Sequence, residues 1–120
     1  MGIVAIRGAI TVENNTVSDI SAATVELYNE IIARNQVNSG AIINIIFSVT
    51  KDLNAIYPAK ALRDSLNLAD IPFMCVQEAD IFGSLEKCIR ILVHVEANLS
   101  KADVRHVYLR AAAALRPDLQ

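Results

Sequence analysis

The 120-residue chain has no tryptophan, only 4 glycines and 3 prolines, and a formal net charge of −2. Each scarcity excludes something. So little glycine and proline argues against a low-complexity or disordered chain. The near balance of charge removes any overall attraction to nucleic acid or an anionic membrane. An anion must therefore be held by locally placed cations. The two cysteines, Cys75 and Cys88, form no CxxC motif and join no histidine-rich cluster; they read as reduced thiols of a cytoplasmic protein. His94 and His106 lack metal-pair spacing, and no other ligand pattern accompanies them. No metal or cofactor is expected. GxGxxG, P-loop, HExxH and Ser-His-Asp signatures are all missing, so nothing points to hydride, phosphoryl or acyl transfer. Met1 to Arg7 lacks the basic start and long apolar run of a signal peptide. No apolar run reaches membrane-spanning length, and no membrane partner is expected.

What the chain does have is apolar periodicity, with 53% hydrophobic residues. One domain over residues 1–120 is expected. Val4, Ile6, Ile10 and Val12 share one parity of a strand over residues 3–12, and Ala5, Arg7, Ala9 and Thr11 the other. Thr16 or Ser18 can cap the helix that follows. Its apolar face is Ile20, Ala23, Leu27 and Ile31. A second strand is expected over residues 41–50. Pro58 can open a short helix, residues 59–66, because its missing amide costs nothing in a first turn. Further strands are expected over residues 72–77, 86–97 and 107–109, with a turn over 100–104.

The order β-α-β-α-β-β-β gives an α+β fold, a mixed five-stranded sheet covered on one side by one long helix and one short helix. The other face carries Arg, His, Asn, Ser and Thr among its apolar residues. Burial in an oligomer is the expectation for that face.

Arg7 and Arg90 fall mid-strand among apolar neighbours. A guanidinium cannot shed its proton, so it needs an anionic or strongly polar partner there. Either arginine alone fits a structural pair with Glu78, Glu86 or Glu96, or a stem packed flat with its head in water. Two on different strands favour an anion site. Lys60 and Arg63 project together from the short helix, and by themselves read as a solvated cationic face. Arg116, before Pro117, reads alone as an exposed charge. Cys75 has no histidine near it in sequence to act as a base, so a buried thiol is the better reading than a nucleophile. The residues by themselves thus describe a cofactor-free, oligomeric, anion-binding domain.

Six segments in order carry a resemblance. They are Ile6-Arg7-Gly8-Ala9 with Thr11-Val12-Glu13; Tyr57-Pro58-Ala59-Lys60-Ala61 with Arg63; Cys75 with Gln77-Glu78; Lys87-Cys88-Ile89-Arg90; Arg105-His106-Val107-Tyr108-Leu109; and Leu115-Arg116-Pro117-Asp118-Leu119. Through them the chain resembles the monofunctional chorismate mutases of the Bacillus type, from Ile6 to Leu119. The resemblance implies a ferredoxin-like, Bacillus chorismate mutase-like fold assembled as a trimeric pseudo-barrel. It also implies a homotrimer with sites between subunits, chorismate as substrate, and isomerase activity without a cofactor. It assigns Arg90, Glu78 and Arg7 to catalysis, with Arg90 aimed at the ether oxygen and Glu78 at the ring hydroxyl. Arg7 and Tyr108 would bind the side-chain carboxylate, Tyr57 would pack on the ring, and Cys75 would line its end. Lys60, Arg63 and Arg116 would stand at the entrance, and Leu115 would be apolar wall. Two positions depart from the family: Tyr57 stands where Phe is frequent, and Met74 where Thr is frequent beside the substrate hydroxyl. The chain stops soon after Leu119, so no longer tail is expected. The other readings weighed are a trimeric imine deaminase and a non-catalytic regulatory module that binds an aromatic metabolite.

Overall fold

The computed structural model describes residues 2–119; Met1 and Gln120, the ends of the expected domain, lie outside them. Strand β1 (Gly2–Thr11) leads into helix α1 (Val17–Asn35) and then strand β2 (Ile42–Val49). Helix α2 (Pro58–Leu66) and strands β3 (Phe73–Gln77), β4 (Cys88–Ala97) and β5 (Val107–Leu109) follow. The sheet order is β3-β2-β4-β1-β5. β4 pairs antiparallel with both β1 and β2, whereas β1–β5 and β2–β3 are parallel, so the sheet is mixed as expected. No helix is long and apolar enough to cross a membrane among the described residues.

The periodicity of the sequence accounts for the layering. Thr16 caps α1, its Oγ1 accepting the Asp19 amide proton at 3.1 Å. At the far end Gln36 adopts a left-handed conformation (φ 53°) and closes the last turn. Ile20, Ala23, Leu27 and Ile31 form the buried stripe and meet Ile6, Ile10, Ile89, Ile91, Val93 and Phe47 of the sheet. Pro58 is in the first turn of α2, whose Ala59 and Leu62 join the same core. Burying each large apolar side chain contributes about 1.5–3 kcal/mol, and both helices draw on one face of the sheet. The opposite parity, Ala5, Arg7 and Ala9 on β1 with Arg90, Leu92 and His94 on β4, faces away from them.

Two features differ from the sequence reading. Glu86 and Lys87 precede β4 instead of starting it, because Lys87 is left-handed (φ 47°) and turns the chain into the strand. The second is a 3-10 helix over Arg110–Leu115 directly after β5. Its Ala112 packs with Ala9, Cys88 and Tyr108, backed by Leu85 and Leu115, over one corner of the face the helices leave bare.

Strand β5 has three residues, paired with β1 from Gly8 to Ile10, and a side chain anchors the segment that leads into it. Buried Asn35 donates to the Arg105 carbonyl at 2.8 Å and accepts the Arg105 amide proton at 2.8 Å, joining the end of α1 to the start of β5. Gly8 lets β5 approach β1. A Cβ added there would lie 2.8 Å from the Val107 carbonyl oxygen and 3.1 Å from both Ile31 Cδ1 and Ile91 Cγ2. Gly8→Ala is therefore expected to destabilise the fold by about 1–3 kcal/mol through overpacking. Thermal unfolding measures this; an unchanged midpoint would show that β5 can move aside freely.

Candidate active site

The faces of the sheet divide the expected site residues into two groups. The first lies on the face without helices. Arg90 projects from the central strand between Ala9 of β1 and Ser48 of β2. Two small neighbours leave room for its guanidinium. Glu78, one residue beyond β3, continues the ladder through its amide to the Val49 carbonyl at 2.7 Å. Its Oε1 accepts the Ser48 hydroxyl proton at 2.6 Å and lies 3.1 Å from Arg90 Nε. Both side chains of the pair are about a quarter exposed, at 27% each. The Nε is itself out of water without a well-aligned hydrogen bond, so the contact is an ion pair by distance only. The family resemblance aims Arg90 at the ether oxygen and Glu78 at the ring hydroxyl; here the two side chains touch.

Arg7 stands on the same face, exposed, two residues before Ala9. Tyr108 is buried in the small cluster beneath Leu115. Arg116 is half-buried and forks onto Asp118, with Nε and Nη2 at 3.1 and 3.0 Å from the two carboxylate oxygens. Asp118 raises the pKa of Arg116, and Tyr108 supports it more weakly. His106 is a hydrogen-bonding residue: its Nδ1 accepts the Arg7 amide proton at 3.0 Å. That bond requires an unprotonated Nδ1. Burial lowers the His106 pKa, and the Arg116 and Arg7 cations lower it further.

The second group lies on the helix side. Tyr57, Lys60 and Cys75 line a hollow of about 690 Å³ with Val17, Leu53 and Ile56. Tyr57 is 70% exposed at its mouth. Lys60 is paired with Asp64 at 2.9 Å, and Arg63 lies exposed on the same helix. Cys75 packs against the main core. Burial raises its pKa, partly offset by the Ala59 amide; a thiol so shifted is protonated near neutrality and a poor nucleophile. Cys88 is likewise raised, first by burial.

Met74 and Cys75 are adjacent on an edge strand and so point to opposite faces. Met74, 59% exposed, belongs with Glu78, and Cys75 with Tyr57. The sheet itself stands between the groups, so one chain does not bring them together.

Three comparisons bear on this arrangement. The family model described as chorismate mutase type I matches residues 3–119. The chorismate mutase AroH of Bacillus subtilis is 40% identical over 114 residues, covering 95% of this chain and 90% of that protein. The AroH of Thermus thermophilus is 40% identical over 116 residues, covering 96% and 94%. A solved chorismate mutase from Clostridium thermocellum superposes with a TM-score of 0.89 at 46% identity, covering 92% of this chain and 98% of that one. An α+β chain of this topology, with a cationic open face, is thus of the isomerase class these matches describe. The chain belongs to the type I chorismate mutase family.

His106 yields a prediction about pH. Its native pKa lies below the unfolded value of about 6.5, so between the two the unfolded chain binds more protons. Its contribution to stability is complete above that window and is lost as pH falls through it. The unfolding midpoint is expected to drop more steeply from pH 7 to pH 5 in the parent than in His106→Gln; parallel curves would contradict the assignment.

Proposed function

We propose that the chain rearranges chorismate to prephenate in a site that two copies build, the open face of one meeting the Tyr57 hollow of the next. The observation that carries this is the split itself: the arginines of the bare face and the aromatic-lined hollow lie on opposite sides of one sheet. Three such contacts closing head to tail give a homotrimer. The bare sheet face then becomes interior. One domain over residues 1–120 is enough for each subunit.

Chorismate is a dianion whose ether C–O bond breaks as a C–C bond forms within the same molecule. No group leaves, and no proton, electron pair or metal ion has to be supplied. The protein has two tasks. It holds the flexible substrate in its compact reactive conformer, and it meets the negative charge growing on the ether oxygen. Arg90 meets that charge. Its Nε faces Glu78, which leaves the Nη groups to reach the ether oxygen and a carboxylate. Glu78 accepts the ring hydroxyl. Arg7 and Tyr108 bind the side-chain carboxylate, and Leu115 is apolar wall.

From the neighbouring copy, Tyr57 packs on the ring and Cys75 lines its end. Lys60 and Arg63 draw the dianion in, with Arg116 from the first copy. Met74, at the edge of the open face, borders the ring hydroxyl where the resemblance anticipates Thr. The product feeds phenylalanine and tyrosine synthesis in the cytoplasm.

Arg90→Ala is expected to lower kcat by about a hundredfold or more, the usual loss for one aimed donor. Turnover equal to the parent in a prephenate-formation assay would remove Arg90 from that role. Lys60→Ala is expected to raise KM while sparing kcat, because a rim charge captures substrate without touching the barrier. A loss confined to kcat would contradict the placement of Lys60 at the entrance.

A further inference from the structure

A polar cluster outside the substrate-binding residues holds the start of β4. Asp52 accepts the Lys87 amide proton with both carboxylate oxygens, at 3.1 and 2.9 Å. Thr50 donates its hydroxyl proton to Asp52 Oδ1 and accepts the Cys88 amide proton at 2.9 Å. The Lys87 carbonyl is held in turn by the Val12 amide at 2.7 Å. Lys87 is thereby fixed in the left-handed conformation (φ 47°). Side chains other than glycine adopt it at a cost, so something must hold it.

The position of this cluster gives it a consequence for the reaction. Residues 78–87 leave the end of β3 and return to the start of β4. Both ends of that segment are anchored near the end of β2: Glu78 by the Val49 carbonyl, Lys87 by Asp52 with Thr50. Arg90 is the third residue of the strand that begins at Cys88. The 3.1 Å Arg90–Glu78 contact therefore spans the two ends of one clamped segment.

We propose that Asp52 is a positioning residue for the rearrangement: by holding Lys87 left-handed it fixes where Arg90 stands relative to Glu78. Asp52 touches neither of them through a hydrogen bond and is not placed against substrate. Its effect passes through the backbone of residues 87–90. This rests on the role given to Arg90 above.

The test compares Asp52→Ala, Asp52→Asn, Lys87→Gly and the double variant Asp52→Ala/Lys87→Gly. Kinetics of prephenate formation are measured together with amide hydrogen exchange over residues 87–90. Asp52→Ala is expected to lower kcat by about tenfold to a hundredfold, the scale of a displaced catalytic group, with a small change in KM and faster exchange at Lys87 and Cys88. Asp52→Asn keeps an oxygen for the Lys87 amide and is expected to fall between this variant and the parent. Glycine adopts the left-handed conformation freely. The double variant is therefore expected to recover most of the lost kcat, relative to Lys87→Gly alone.

A merely stabilising role for Asp52 predicts a lower unfolding midpoint with kcat intact, and that result would overturn the proposal. So would a kcat loss that the glycine fails to recover. Where Asp52→Ala fails to fold, Asp52→Asn against the parent decides by the same readings. A parent that formed no prephenate would fail the functional reading, while unchanged exchange at Lys87 and Cys88 in the Asp52 variants would fail the clamp.

Discussion

A permanent cation in the central strand of the sheet is the constraint around which the other parts are arranged. Arg90 has β1 on one side and β2 on the other, and it cannot neutralise itself by losing a proton. Glu78 balances its charge, yet the pair is an expensive way to stabilise a fold. Desolvation offsets much of the Coulomb attraction when ions leave water, and the partial exposure of both side chains weakens what remains. The Nε lacks an aligned hydrogen bond besides. An apolar residue would serve the sheet at least as well. What the arginine supplies is a fixed positive charge on an uncovered face, with its Nε beside the carboxylate that anchors it.

The surrounding structure holds that charge in place. Small residues, Ala9 and Ser48, flank Arg90 in the register. Gly8 admits β5, and Asn35 fixes its start, so that Tyr108 stands on the same face. The Arg110–Leu115 helix then folds over the corner and brings Leu115 and Arg116 beside Tyr108. His106, neutral and accepting from the Arg7 amide, avoids adding a further positive charge beside Arg7 and Arg116.

Much of this was legible in the sequence because it is local. Parity separated Arg7 and Arg90 from the core residues of their own strands, and apolar spacing set α1 and its Thr16 cap. Strand alternation likewise puts the adjacent Met74 and Cys75 on opposite faces. The features that escaped are set by contacts distant in sequence. Lys87 carries no glycine-like signal for a left-handed residue; its conformation comes from Asp52, 35 positions earlier. The Asn35 link to Arg105 spans 70 positions. The helix after β5 forms from an alanine run whose role depends on the surface it meets. The Arg90–Glu78 contact follows from the packing of β2 between their strands, which no spacing along the chain reveals.

The central claim is that one chain holds two half-sites that only a neighbour can close. Co-assembly of two defective variants tests it most directly. Copies carrying Arg90→Ala lack the open-face half, and copies carrying Lys60→Ala with Arg63→Ala lack the entrance of the hollow. Mixed in equal amounts, random head-to-tail assembly gives about a quarter of the sites both intact halves. With substrate far below the KM of the Lys60→Ala/Arg63→Ala variant, the account predicts prephenate formation well above that of either variant alone. A mixed sample no more active than the average of its two components would contradict it.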